Sequence, residues 1–255
     1  MRAIPLFLAA CLLVVAGCAS VGSGAHDPDV LATALANPAR SDADRERDGR
    51  DHPADVLALA NFRPGMTIAD IFGGGGYYSE IIAGIVGAKG QVRLINNPSY
   101  DGYAKKGLAT RLADNRLPNV HYEVSPPDKM ALGNATLDGA LIVMSYHDLY
   151  VNDPSDNWPG IDASQFIDQI VAGLKHGGVL LIVDHQARAG SGKSDSQALH
   201  RIEDTYAIAD FKAHGLDFVS SIPVLRNSGD DHSLNVFNPA IRGKTDRFVH
   251  LYRKP

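Results

Sequence analysis

Three stretches of this chain carry residue types at spacings that suit chemistry. Asp70-Ile71-Phe72 runs directly into Gly73, Gly74, Gly75 and Gly76, followed by Tyr77 and Tyr78. Glycines let a backbone approach a ligand closely, and free amides at a helix start suit an acidic group. The Asp70 carboxylate can accept hydrogen bonds from a ligand amine. His147-Asp148 and Asp184-His185 each close an apolar run with an imidazole beside a carboxylate. His147 is the first candidate for a general base, because an unperturbed imidazole titrates near neutrality. Asp148 and His185 stand beside it as candidate catalytic groups, and a loop-anchoring role stays open for both pairs. His200, Glu203 and Asp204 fall at i, i+3 and i+4 of a helical run. With Asp148 and Asp184 they could hold a divalent metal, but no acid-rich loop at fixed spacing accompanies them. The reading adopted there is a solvated helix face, with no metal. Gly192-Lys193-Ser194 resembles the end of a phosphate loop, yet the glycine required at position 187 is Ala187.

These groups need elements that end where the groups stand. Short apolar runs at Met66–Phe72, Gln91–Ile95, Asn119–Val124, Leu137–Met144, Val179–Asp184, Phe218–Leu225 and Phe248–Arg253 read as strands. Between them lie helical patterns: one from the glycines through Ile85, then Tyr100–Asn115, Ala163–Leu174 and about Ser194–Ala213. The third of these is ended by Gly177-Gly178. Alternation of this kind predicts an α/β fold with a doubly wound, mostly parallel seven-stranded sheet. Ligands of such sheets bind beyond the carboxyl ends of the strands, where Asp70, His147, Asp148 and His185 all fall.

A dinucleotide site wants G-x-G-x-x-G/A and an acid about 20 residues later. Ser79 stands at the third glycine position, and the second strand closes on Asn96-Asn97-Pro98. The glycine run instead resembles motif I of class I S-adenosylmethionine-dependent methyltransferases, D/E-x-G-x-G-x-G. Asp70, Gly74 and Gly76 match it, and Phe72 takes the place of the first glycine. Leu174-Lys175-His176-Gly177-Gly178 resembles that superfamily's L-K-P-G-G segment, and Phe62-Arg63-Pro64-Gly65 its turn before the first strand. The chain most resembles a bacterial group of exported methyltransferases. That group shares the Gly74 to Tyr78 loop, Tyr146-His147-Asp148, Asp184-His185, His200-Arg201-Ile202 and Arg242 to Asp246. The resemblance covers about residues 50–255. It implies S-adenosyl-L-methionine as cofactor, held by Asp70, Gly73, Gly74 and Gly76, with Tyr77 and Asn96 in support. It also implies a small-molecule methyl acceptor facing His147, Asp148 and His185. The acid this superfamily usually places after the second strand is replaced by Asn96-Asn97. A second reading therefore stays open: a non-catalytic lipoprotein that binds a small molecule or an envelope partner in the same cleft.

The chain has 255 residues, 45% hydrophobic and 21% charged, which suits a globular protein and argues against disorder. Its net charge of −5 argues against nucleic acid as a partner. Arg2 and the apolar run Ile4–Ala16 read as a secretory signal, too short for a comfortable membrane span. Val15-Ala16-Gly17-Cys18 resembles the lipobox of bacterial lipoproteins. That resemblance implies a signal over residues 1–17, lipidation of Cys18, and anchorage to a bilayer facing the periplasm. Ala19 after the cysteine implies the outer membrane. Residues 18–52 read as a tether and N-terminal helical segment, with a short helix at 28–37 and a solvated, charge-dense stretch at 41–52. Residues 53–255 form the methyltransferase-like domain.

Overall fold

A computed structural model describes residues 28–255, so the export signal, Cys18 and the tether lie outside the described residues. Seven strands form one sheet: β1 (Thr67–Ile71), β2 (Gln91–Asn96), β3 (Val120–Val124), β4 (Leu137–Val143), β5 (Leu174–His185), β6 (Asp217–Ile222) and β7 (Arg247–Arg253). Their order is β3-β2-β1-β4-β5-β7-β6, with every pair parallel except those involving β7. The doubly wound, mostly parallel seven-stranded sheet is as the sequence predicts. The winding reverses between β1 and β4, which opens a crevice at their carboxyl ends.

Period-two alternation divides the central strands between two cores. Leu180 and Ile182 of β5 join Ala69, Ile142, Phe166 and Phe211 on one face, whereas Leu181 and Val183 join Ile68, Leu141, Ile81 and Ile82 on the other. Helices α1 (Pro28–Leu35), α2 (Asp42–Asp51), α3 (Pro53–Ala60), α4 (Tyr77–Val86), α5 (Pro98–Arg111) and α6 (Ala163–Gly173) precede β5. After it come the single turn α7 (Ser196–Leu199) and α8 (Asp204–Ala213). Among the described residues, no helix is long and apolar enough to cross a membrane.

Two local expectations are corrected and one is sharpened. The stretch 41–52 keeps most of its side chains exposed, but it is helical and docked on the domain through the rest. Two of its carboxylates meet arginines from elements far along the chain. Arg40 makes a two-pronged contact with Asp48 at 2.7 and 2.6 Å, and Arg111 of α5 reaches Asp44 at 2.8 Å. Arg247 of β7 meets Asp51 at 2.8 Å, with both residues buried. The expected helix 194–213 is broken at His200, which sits in left-handed conformation with φ 53°. There Ile202 leaves the helix to bridge Gln186, while the buried Arg201 binds Asp230 and the carbonyls of Gln186 and Leu234. Finally, α6 passes straight into β5 at Leu174, so Gly177-Gly178 lies within the strand rather than ending the helix.

Removing one member of a buried ion pair leaves an uncompensated charge, which costs about 3–5 kcal/mol. Asp51→Ala is therefore expected to lower the urea midpoint sharply, because Arg247 is buried and keeps only the Arg50 carbonyl and Met144 sulfur. Asp42→Ala, on an almost fully exposed side chain of the same helix, is the control and should shift the midpoint little.

Candidate functional site

A cavity of about 740 Å³ opens at the switch between β1 and β4, within the roughly 300–1,000 Å³ usual for small-molecule sites. One wall is the backbone of Gly73, Gly74 and Gly75. Gly76 caps α4 at φ 78°, and a Cβ on Gly73 would fall 2.5 Å from the Asp70 carboxyl carbon. These two positions require glycine, one for its backbone angle and one for the close approach.

Phe72, also at a positive φ of 54°, packs its ring among other aromatic side chains. It stacks on Tyr100 at 5.2 Å between ring centres and meets Phe166 at 5.1 Å. The bulky replacement of the first glycine thus forms part of the cavity wall and leaves the hollow open.

The opposite wall carries ionisable groups. His147 follows β4, and Asp184 and His185 end β5, the neighbouring strand. Asp184 accepts the His147 backbone amide at 2.8 Å and the ring Nδ1 at 2.7 Å. His147 Nε2 stands 3.1 Å from Asp148 Oδ1. Burial opposes the charged ring, but Asp184 and Asp148 outweigh it and raise the pKa of His147 to about 10. The expected general base is thus held as an imidazolium with both nitrogens engaged. Burial acts in the opposite sense on Asp148, whose pKa nevertheless falls well below the usual carboxylate range beside the His147 charge. Tyr100 donates its hydroxyl to Asp148 Oδ2 at 2.7 Å, and burial together with that carboxylate raises the Tyr100 pKa. His185 lines the same cavity, its Nδ1 bonded to the Thr245 hydroxyl at 2.7 Å. Burial, then the charges of His147, Arg247 and Arg201, hold its pKa well below 6.5, so this imidazole is neutral.

The structure sorts the residues singled out from the sequence. Gly73, Gly74, His147, Asp148 and His185 line the cavity. Gly76 stands behind the loop, its added Cβ facing Leu94 and Arg111. Asp70 is buried beneath the loop, where Ser79 donates to it at 2.5 Å, and it does not face the cavity. Asn96 is spent on the loop itself, accepting from Gly74 N–H at 2.9 Å and donating to Gly74 C=O at 3.0 Å. The Tyr77 hydroxyl holds Asp48 of α2 at 2.6 Å. Asn97 caps α5 by accepting from the Tyr100 amide. Of the set His200, Glu203 and Asp204, only His200 reaches the cavity. Glu203 accepts the amides of Gly190 and Gly192, and Asp204 pairs with Arg226. Arg188 pairs with Asp195, while Lys193 lies 4.7 Å over the Tyr150 ring.

Sequence reading missed Arg47, Tyr100, Trp158 and Phe237 as cavity-lining residues. Arg47 lies 4.0 Å over the Tyr77 ring beside the glycine loop and is tied to Asp51 at 2.5 Å. Nothing local announces it, since it belongs to a helix that reads as solvated charge. Tyr100 had a faint signal: an aromatic residue three positions after a helix-capping Asn.

No protein-family model matches the chain, and no curated protein does. Solved structures do match in fold. A SAM-dependent methyltransferase from Aquifex aeolicus has TM-score 0.59 and 19% identity, over 90% of this chain and 99% of its own. The 1,6-didemethyltoxoflavin-N1-methyltransferase from Burkholderia thailandensis, solved with S-adenosylhomocysteine, has TM-score 0.51 and 15% identity, over 84% and 81%. The [4+2]-cyclase SpnF has TM-score 0.56 and 15% identity, over 84% and 81%. At these identities the likeness is one of fold: the chain has the Rossmann-like fold of S-adenosylmethionine-dependent methyltransferases.

Burial raises the Asp70 pKa to about 6, against the opposing hydrogen bonds from Ser79. The folded state then holds a proton that the unfolded chain releases near pH 3.9. Stability tied to this group is full below that pH and is lost as pH rises through about 6. Asp70→Asn should abolish this dependence, because its side-chain oxygen still accepts from Ser79. Urea melts at pH 4 and pH 7.5 should show wild type losing about 2 kcal/mol relative to the variant, at about 1.4 kcal/mol per unit.

Proposed function

We propose that the protein is an S-adenosyl-L-methionine-dependent methyltransferase acting on a small molecule, anchored by Cys18 to the periplasmic face of the outer membrane. The observation that carries the enzymatic part is the cavity at the sheet's switch point, with bare glycine backbone on one wall and ionisable groups on the other. Bound there, the cofactor would present its amino-acid end to the Gly73–Gly75 backbone and its carboxylate to Arg47. Asp70 and Asn96 act through the loop: the first packs beneath Gly73, and the second clamps Gly74 by both backbone groups.

Methyl transfer from a sulfonium is an in-line displacement, so alignment of the acceptor is the chief requirement. Tyr100, Trp158 and Phe237 supply apolar surface for it. Where the acceptor is a hydroxyl or amine, its proton must leave. His185, neutral and facing the cavity, takes the role that the charged His147 cannot fill.

A second reading, a non-catalytic lipoprotein with a ligand in this cleft, is favoured by Asn96, which leaves no carboxylate at the end of β2 for ribose hydroxyls. The cofactor is also a zwitterion made in the cytoplasm, and it crosses bilayers poorly.

Calorimetry with S-adenosylhomocysteine tests the cofactor site. Binding is expected in the micromolar range, and no heat at about 1 mM ligand would remove the reading, since cofactor sites of working enzymes bind at or below that level. NADH should give no fluorescence change. Arg47→Ala should weaken S-adenosylhomocysteine by about 10- to 100-fold, as expected for a lost charged hydrogen bond of about 1.5–3 kcal/mol. Detergent phase separation tests the anchor: the native protein should enter the detergent phase, and Cys18→Ala the aqueous phase.

A further inference from the structure

His200 is the residue that the broken helix turns inward, and its Nδ1 has only a long contact to a carboxylate. Its Nδ1 is buried and forms no hydrogen bond, although its ring packs against Phe237 at 4.9 Å and His147 at 5.4 Å. That nitrogen faces Asp148 Oδ1 at 3.5 Å. His147 Nε2 faces the same oxygen at 3.1 Å, and the three atoms all lie within 4.8 Å of one another.

We propose that His147 Nε2, Asp148 Oδ1 and His200 Nδ1 form a three-ligand site for a divalent transition-metal ion, open to the cavity. Ligand atoms about 2.0–2.1 Å from a tetrahedral zinc ion stand about 3.3–3.4 Å apart. The two separations measured from Asp148 Oδ1, 3.1 and 3.5 Å, bracket that edge. Two imidazoles and one carboxylate suit zinc or iron(II), and they are the wrong donors for calcium or magnesium. Three protein ligands leave a fourth position free, as in catalytic rather than structural sites.

The surrounding contacts are those that orient metal ligands. Asp184 holds His147 Nδ1 at 2.7 Å, which aims Nε2 at the site, and an ion bound there displaces the Nε2 proton to solvent. Tyr100 occupies the second oxygen of Asp148, leaving Oδ1 for the ion. Phe237 and Trp158 flank the opening with apolar surface. His200 sits at φ 53°, a left-handed backbone conformation unfavourable to a non-glycine residue, and such strain gathers at functional sites.

This set differs from the one suggested by helical spacing. Glu203 and Asp204 are engaged elsewhere, and Asp184 orients a ligand instead of serving as one. The site stands apart from the methyl-transfer reading, because it needs only the three side chains. If both hold, the open position faces the acceptor, where a bound ion would lower the pKa of an acceptor oxygen or sulfur.

The test uses the full chain in detergent, stripped with a chelator, and Zn²⁺ or Co²⁺ alone as probe. Zinc is the sharper probe, since such sites bind it more tightly than iron or manganese. One Zn²⁺ per chain is expected by calorimetry, and Co²⁺ should give the visible bands of a four- or five-coordinate ion. Asp184→Asn, which leaves all three ligand atoms in place, should weaken zinc by about 10- to 100-fold. His200→Ala and Asp148→Asn should weaken it further, and zinc should raise the thermal midpoint of the unaltered chain but not of these two. No stoichiometric uptake by the unaltered chain overturns the proposal without recourse to any variant. So does unchanged affinity in folded His200→Ala. S-adenosylhomocysteine is titrated separately into metal-free protein: a chain that takes zinc but no S-adenosylhomocysteine keeps this site and loses the methyl-transfer reading.

Discussion

Asp184, buried at the end of β5, accepts both the backbone amide and the ring Nδ1 of His147, which follows the neighbouring strand β4. Two strand ends are thereby clamped through one carboxylate in a region shielded from water. A lone buried carboxylate would be costly, and a lone buried imidazolium equally so, but together with Asp148 each offsets the other. The arrangement fixes the His147 ring, aims Nε2 at Asp148 and sets the geometry of the cavity's ionisable wall. His185 is affected in turn, since it lies 5.8 Å from His147 between ring centres and is kept neutral partly by that neighbour's charge.

The glycine wall is built by the same economy of buried polar groups. Asn96 satisfies both backbone groups of Gly74, Ser79 satisfies Asp70, and Arg111 donates to the Gly75 carbonyl at 2.6 Å. Arg111 also reaches Asp44 and Glu80, so the loop is tied through one guanidinium to α2 and α4. The charge-dense α2 is therefore part of the site's scaffold, and it is the helix that delivers Arg47 to the cavity edge. A segment that reads as solvated is folded down because Arg111 and Arg247, far along the chain, pair with two of its carboxylates.

Likeness of fold and likeness of reaction separate cleanly here. The same architecture occurs in methyltransferases and in a [4+2]-cyclase, so the sheet supplies a crevice and the residues at its rim decide the chemistry. In this chain the rim is set by His147, Asp148, His185 and His200, a group rich in imidazole, with Tyr100 and Trp158 closing the apolar side.

The amino-acid pattern alone determined the strand and helix alternation, the mostly parallel seven-stranded sheet, the positive-φ glycine loop after β1, and the placing of ionisable residues at strand ends. These are local properties: hydrophobic period, glycine runs and the residue that closes each strand all act within a few positions of the chain. Only tertiary structure decided which polar atoms spend their hydrogen bonds inside the protein and which face the cavity. Asp70, Asn96 and Tyr77 have the right types at the right places, yet contacts to Ser79, Gly74 and Asp48 occupy them. His200 went the other way, because Arg201 and Ile202 bind groups across the fold strongly enough to break the helix and turn the imidazole inward. Pairings across 15 to 33 residues leave no local trace, since the partner's identity depends on how the sheet brings distant loops together.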